Sequence, residues 1–298
     1  MRKPVARTVL GSCLINLVVV TSFSAFAAEA NSVEEIVSKH LDSIGTAQAR
    51  AAVKNRVAQG TVHFRTVVGG VSDMDGRATL VSEQHKLHLL LKFDNAQYAG
   101  ERFIFDGDKS EVAATTVNKV RSSFGQLIYT QDAILREGLF GGTLSTGWPL
   151  LNLDERKAKL DYRGKKKFDG KEAFELEYRP KKSSDMEMKL YFDPQTYRHV
   201  ATVYTLNIAT SLSRGTTYQG QAVESGDEVQ ARQQQNRYRL EERFGDFKTS
   251  DGITLPSHYD IHFARELQSG ETTEFDWNIA IQQITQNLNM DPRNFQVK

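Results

Sequence analysis

A single cysteine stands among the 298 residues, and that residue, Cys13, lies in an apolar stretch near the N-terminus. The rest of the chain therefore has no means of making a disulfide, a thiolate metal site or a cysteine nucleophile. The six prolines do not cluster, and no Pro- or Ser-rich linker divides the sequence. Neither sign of charge dominates: 38 basic residues meet 37 acidic ones, for a net charge of +1. Such a balance argues against a nucleic-acid partner, which needs a basic face to neutralise phosphates. The local basic runs Lys165-Lys166-Lys167 and Lys181-Lys182 each sit beside a turn and read as solvated hairpin tips. Enzyme signatures are missing too. There is no P-loop, no G-x-G-x-x-G and no H-E-x-x-H, and Leu144-Ser145-Thr146 lacks the flanking glycines of a nucleophile elbow.

The one strongly apolar run is at the start. Arg2, Lys3 and Arg7 form a basic n-region, an apolar stretch runs from Leu14 to Phe26, and Ala25-Phe26-Ala27 supplies the small residues that a signal peptidase reads. Residues 1–27 are expected to be a cleavable secretory signal. A membrane anchor needs about 20 apolar residues, and Ser22 and Ser24 interrupt the run. Leu10-Gly11-Ser12-Cys13 resembles a lipoprotein cleavage box, but the apolar run would then fall on the wrong side of the cut. Cleavage after Ala27 removes three basic residues and no acidic one, leaving 271 residues with a net charge of −2. Residues 28–298 are expected to form a single periplasmic domain.

That domain opens with a helix. Val33, Ile36, Val37, Leu41 and Ile44 recur at helical spacing, with Ser32 as cap, Glu35 three residues on and Gly45 at the end; a short helical piece follows over Ala47 to Val53. The period then changes to two. Strands are expected near 58–65, 73–83, 84–93, 98–105 and 111–117, with Leu87, Leu89, Leu91 and Phe93 on one face. A helical segment from Ser122 to about residue 137 interrupts them, bearing Phe124, Leu127, Ile128, Ile134 and Leu135. Glycines at 138, 141, 142 and 147 follow, then a short helix near Leu150 to Arg156. Strands resume at Ala158 and continue to the C-terminus, broken by a polar loop over Leu206 to Gln235. Ten or eleven antiparallel strands, each apolar on one face, with helices at few places, define a mainly β fold. It should be a strongly curved half-barrel whose concave apolar face is covered by helices.

Four segments resemble the periplasmic lipoprotein carriers of the LolA/LolB-like fold. They are the helix Glu34-Glu35-Ile36-Val37-Ser38-Lys39-His40 running to Ile44-Gly45, the turn in Tyr191-Phe192-Asp193-Pro194-Gln195-Thr196, the segment Asp251-Gly252-Ile253-Thr254-Leu255-Pro256 and the ending Asp291-Pro292-Arg293-Asn294-Phe295. The resemblance implies an eleven-stranded half-barrel closed by helices, with an apolar cavity that shields acyl chains during lipoprotein transport to the outer membrane. It also implies lipid or lipoprotein acyl chains as partners, together with an envelope membrane complex.

A soluble carrier must offset about 0.8 kcal/mol for each CH₂ that it keeps from water. Phe64, Leu89, Leu91, Phe174, Leu176, Met186, Met188, Phe275 and Trp277 are candidates to line the necessary surface, and methionines suit variable chains because they are flexible and polarizable. Phe124, Leu127 and Ile128 are candidates for a lid that swings on the glycines behind it. The alternative for these residues is an ordinary packed core. His258, Asp260 and His262 share a strand face that could bind a metal, but the opposite face carries Tyr259, Ile261 and Phe263, which puts the trio on the wet side. Glu241 and Glu242 are adjacent and so point to opposite faces. No catalytic residue, metal or cofactor is expected, and a monomer is. Two functions fit: a binding protein for lipid or lipoprotein acyl chains, or a non-catalytic envelope sensor that docks a partner with the same fold.

The mature protein is expected to begin at Ala28, which N-terminal sequencing of the secreted product checks. A lipid-modified Cys13 as first residue would contradict it.

Overall fold

The computed structural model describes residues 32–116, 119–209 and 235–297; the expected export signal and most of the Leu206–Gln235 loop lie outside them. Two helices lead in. Helix α1 (Val33–Ile44) starts at Ser32, whose Oγ accepts the Glu35 N–H at 3.1 Å, and it buries Ile36, His40 and Ile44, one turn apart. This side-chain cap satisfies one of the N–H groups that a helix start leaves open. Helix α2 (Ala47–Ala52) is capped in the same way by Thr46.

Twelve strands follow. They are β1 (Asn55–Val68), β2 (Asp73–Glu83), β3 (Lys86–Phe93), β4 (Gly100–Phe105), β5 (Ser110–Ala114), β6 (Lys159–Phe168), β7 (Lys171–Arg179), β8 (Glu187–Phe192), β9 (His199–Ala209), β10 (Gln235–Ser250), β11 (Ile253–Glu266) and β12 (Thr272–Gln286). They form one open antiparallel sheet in the order β5-β4-β3-β2-β1-β12-β11-β10-β9-β8-β7-β6, curved into a half-barrel. Each half is a simple meander, and β1 joins them by pairing with β12. The expected architecture is observed, with twelve strands where ten or eleven were anticipated.

The register explains the core. Phe64 lies opposite Trp277, which lies opposite Ile261, while Phe275 lies opposite Phe263. Side chains alternate across a pleated sheet, so these pairs stack on one face, buried at Phe64, Trp277, Ile261 and Phe263 and partly buried at Phe275.

The connection between the halves is unusual. The chain leaves one free edge at β5 and must re-enter at the other, β6. It does so across the concave face. Helix α3 (Ser123–Thr130), helix α4 (Ala133–Arg136), a pair of 3₁₀ turns and the links between them carry Phe124, Leu127, Ile128, Ile134, Leu135, Leu139, Phe140, Leu144, Trp148 and Leu150, all buried in the same core as the sheet residues. The helix expected over this stretch breaks at Gln131, whose φ of −112° and ψ of 59° leave the helical region. Helix α5 (Leu153–Arg156) ends the crossing.

Phe124 is the keystone of this layer, with its ring 4.6 Å from that of Trp277 and 5.1 Å from that of Phe103. Phe124→Ala is expected to destabilise the fold by about 3–5 kcal/mol, measured by denaturant unfolding. A loss below about 1 kcal/mol, the size of a surface substitution, would contradict the packing described.

Candidate functional site

The residues singled out from sequence converge on one place. Phe64 on β1, Leu89 and Leu91 on β3, Phe174 and Leu176 on β7, Met188 on β8, Trp277 on β12, and Met186 just before β8 are all buried on the concave side, as are Phe124, Leu127 and Ile128 of α3. Phe275 is partly buried against the same core. In this conformation the crossing segment fills the concavity.

Between the two apolar layers lies a set of hydrogen bonds that sequence reasoning missed. Each ties the crossing segment to the sheet or to α1. Glu101 on β4 accepts the Ser122 N–H at 2.8 Å and the Ser122 hydroxyl at 2.6 Å, while Ser122 Oγ caps α3 by accepting the Gly125 N–H. A Cβ at Gly125 would fall 2.0 Å from Glu101 Oε1, so a larger residue there would displace the carboxylate. On β10, Glu242 accepts the Gly141 N–H at 2.7 Å. Arg56 on β1 donates to the carbonyls of Thr143 and Leu144 at 2.7 and 3.1 Å. Ser82 on β2 accepts the Thr146 N–H at 3.0 Å. The Trp148 indole donates to His40 Nε2 of α1 at 3.0 Å, and Tyr178 on β7 donates to Glu137 at 2.8 Å. Gly141 and Gly142 have φ of +81° and +51°, a region that favours glycine, and this backbone brings the Gly141 N–H to the carboxylate.

These groups sit in low dielectric, and their ionisation reflects it. Glu242 is fully buried and accepts the hydroxyls of Tyr204 and Tyr259, each at 2.6 Å, as well as Gly141. Burial pushes its carboxyl up to about 7, with the three donors pulling only partly the other way. Burial also raises Glu101, against the two Ser122 bonds. His40 is held down to about 4 by burial. Its Nδ1 meets the Tyr197 carbonyl at 3.0 Å, so Nδ1 carries the proton and Nε2 is free to accept from Trp148. The Trp148 ring also lies 4.4 Å from that of His199, whose protonation is likewise suppressed by burial.

The opposite face behaves differently. His258 contacts Asp260 at 3.0 Å, and His262 contacts Asp276 at 2.6 Å. Arg65 reaches the other oxygen of Asp276 at 2.7 Å. Burial alone would raise Asp276, yet the bonds from His262 and Arg65 outweigh it and hold the carboxyl below the usual range. The trio lies on the convex face, split between two carboxylates rather than gathered at one point. One signal in the sequence could have exposed a latch: Leu240, Glu242 and Phe244 share the apolar face of β10, so Glu242 is a charge in the wrong row.

No protein-family model matches the chain, and no curated protein matches it. Among solved structures the chain is similar to a LolA superfamily protein from Nitrosomonas europaea, at 14% identity and a TM-score of 0.44, covering 90% of this chain and 99% of that one. It is also similar to a domain described as an outer membrane lipoprotein-sorting protein from Vibrio parahaemolyticus, at 13% identity and a TM-score of 0.40, covering 87% and 97%. The MucA/MucB complex of Pseudomonas aeruginosa matches at 11% identity and a TM-score of 0.23, covering 85% of this chain and 99% of that one.

Glu242 generates a pH prediction. Its carboxyl ionises near 4.5 in the unfolded chain and near 7 when folded. Between those values the folded state holds a proton that the unfolded state has lost, so its contribution to stability is full below about pH 4.5 and falls as pH rises towards 7. The stability of wild type relative to Glu242→Gln is therefore expected to drop by an amount on the order of 3 kcal/mol from pH 4.5 to 8, measured by urea unfolding. A difference that is constant with pH would contradict it.

Proposed function

We propose that the protein is an exported, non-catalytic carrier that shelters acyl chains against the concave face of its half-barrel, and that this conformation is its closed state. The observation that supports this is the form of the cover. A wide apolar sheet face is closed by one segment spanning from edge to edge, and at least six separate polar ties hold that segment down. Each tie is worth about 0.5–1.5 kcal/mol net, and opening exchanges it for water. Phe124, Leu127 and Ile128 form the lid, and the sheet residues from Phe64 to Trp277 form the surface that an acyl chain would take over. A tail laid there replaces the apolar contacts that the lid gives up, at about 0.8 kcal/mol per CH₂, so opening is not prohibitive.

On this reading residues 1–27 direct export, residues 28–298 act in the periplasm as a monomer, and the cargo is a lipid or the acylated end of a lipoprotein. A membrane complex at the envelope would hand it over. The filled concavity favours a second reading, an envelope sensor whose core never opens and which docks a partner on its outer surface.

The two readings separate under a lock. Cysteines at positions 82 and 146, where Ser82 Oγ accepts the Thr146 backbone N–H at 3.0 Å, are placed to pin the crossing segment to β2 once oxidised. The oxidised protein is expected to take up a fluorescent fatty acid at least tenfold more slowly than the reduced one. Equal rates would mean that the lid does not move for uptake.

A further inference from the structure

Where α2, β1 and the crossing segment meet there is a cavity of about 40 Å³, lined by Arg50, Arg56, Thr143, Thr146 and Trp148 with Ile44 and Ile253 among its apolar walls. Arg56 is 5% exposed, and among the described residues no carboxylate pairs with it. Burial lowers its guanidinium only to about 10, so it stays charged at neutral pH. One of its nitrogens, Nη1, serves the carbonyls of Thr143 and Leu144, while Nε is buried with no partner among the described residues. The Thr143 hydroxyl is buried and unpartnered as well. Arg50, on the other wall, donates to the carbonyls of Leu41 and Gly45, and its nearest carboxylate is the exposed Asp42 at 3.8 Å.

A buried cation with a free N–H, a free hydroxyl and a second guanidinium around one small space is the donor set of an oxyanion site. A buried donor left without a partner is costly, and a space of this size holds a few heavy atoms. We propose that this cavity binds the carboxylate of a fatty acid or similar single-chain acyl anion, with Arg56 and Arg50 as its counter-charges. The proposal rests on the carrier reading and names the ligand class for it. When the crossing segment lifts, Arg56 loses the Thr143 and Leu144 carbonyls and is left without a protein acceptor. A carboxylate replaces both acceptors and supplies the missing charge, while its tail runs onto the concave face that the segment has vacated. A neutral chain of equal length supplies the tail alone.

The test is calorimetric titration of the mature protein with decanoate and with decanol. Decanoate is expected to bind about ten- to a hundredfold tighter, the range of one or two charge-assisted hydrogen bonds. That ratio should fall to near one in Arg56→Gln and in Arg50→Gln; the second variant lies outside the Arg56 latch and carries the test if the first does not fold. Equal affinities in wild type overturn the head-group site and leave the acyl carrier standing. A ratio that survives both substitutions overturns the site as well. Binding of neither compound overturns the carrier reading and this proposal with it.

Discussion

One connection constrains everything else. The sheet is two meanders joined through β1 and β12, so the chain ends its first half at one free edge and begins its second at the other. The link must cross a face. Because the concave face is mostly apolar, a polar link would leave that face wet, and an apolar one must lie down on it. The crossing segment is the apolar kind, and Phe124, Phe140, Leu144 and Trp148 are consequences of that route. The topology thus turns what would be a loop into a second layer.

Apolar layers alone do not fix position, because they tolerate sliding and repacking. The buried polar groups supply position here. Glu101, Glu242, Arg56, Ser82 and His40 all meet the crossing segment, at its helix cap, its glycine turn, its two carbonyls, its Thr146 amide and its tryptophan. Polar groups buried away from water cost stability unless each keeps its partner. Their concentration along a single interface marks that interface as the place where the molecule accepts lower stability. Burial also sets the charge states at this interface, lifting the Glu242 carboxyl to about 7 and holding His40 neutral, while on the convex face His262 and Arg65 stabilise Asp276 as the anion.

Much of this was legible beforehand, and the reasons are local. The Ser32 cap and the Ile36–His40–Ile44 stripe announce α1, and the alternation Phe275–Trp277–Ile279–Ile281 announces both β12 and its buried side. Period and capping depend on neighbours within a turn or two. What depended on pairing was not legible. Glu242 meets Tyr204 and Tyr259 only because β10 pairs with β9 and β11 in registers that set Thr202 opposite Glu242 and Tyr259 opposite Phe244. Arg56 reads as a polar residue before a strand until the crossing segment arrives over it. The break at Gln131 follows from the need to turn across the sheet, not from any helix breaker in the sequence. Candidate apolar residues could be named because a covered face announces itself, whereas whether the cover moves depends on the ties.

On the carrier reading the cover opens independently of the sheet. Native-state hydrogen exchange measures this residue by residue. The amides of α3, Gly141 and Thr146 are expected to exchange through an opening of lower free energy than those of β1 and β12, and to lose further protection when a fatty acid is added while the sheet keeps its own. Crossing-segment amides that exchange only through global unfolding, in step with β1 and β12 with or without fatty acid, would contradict the account.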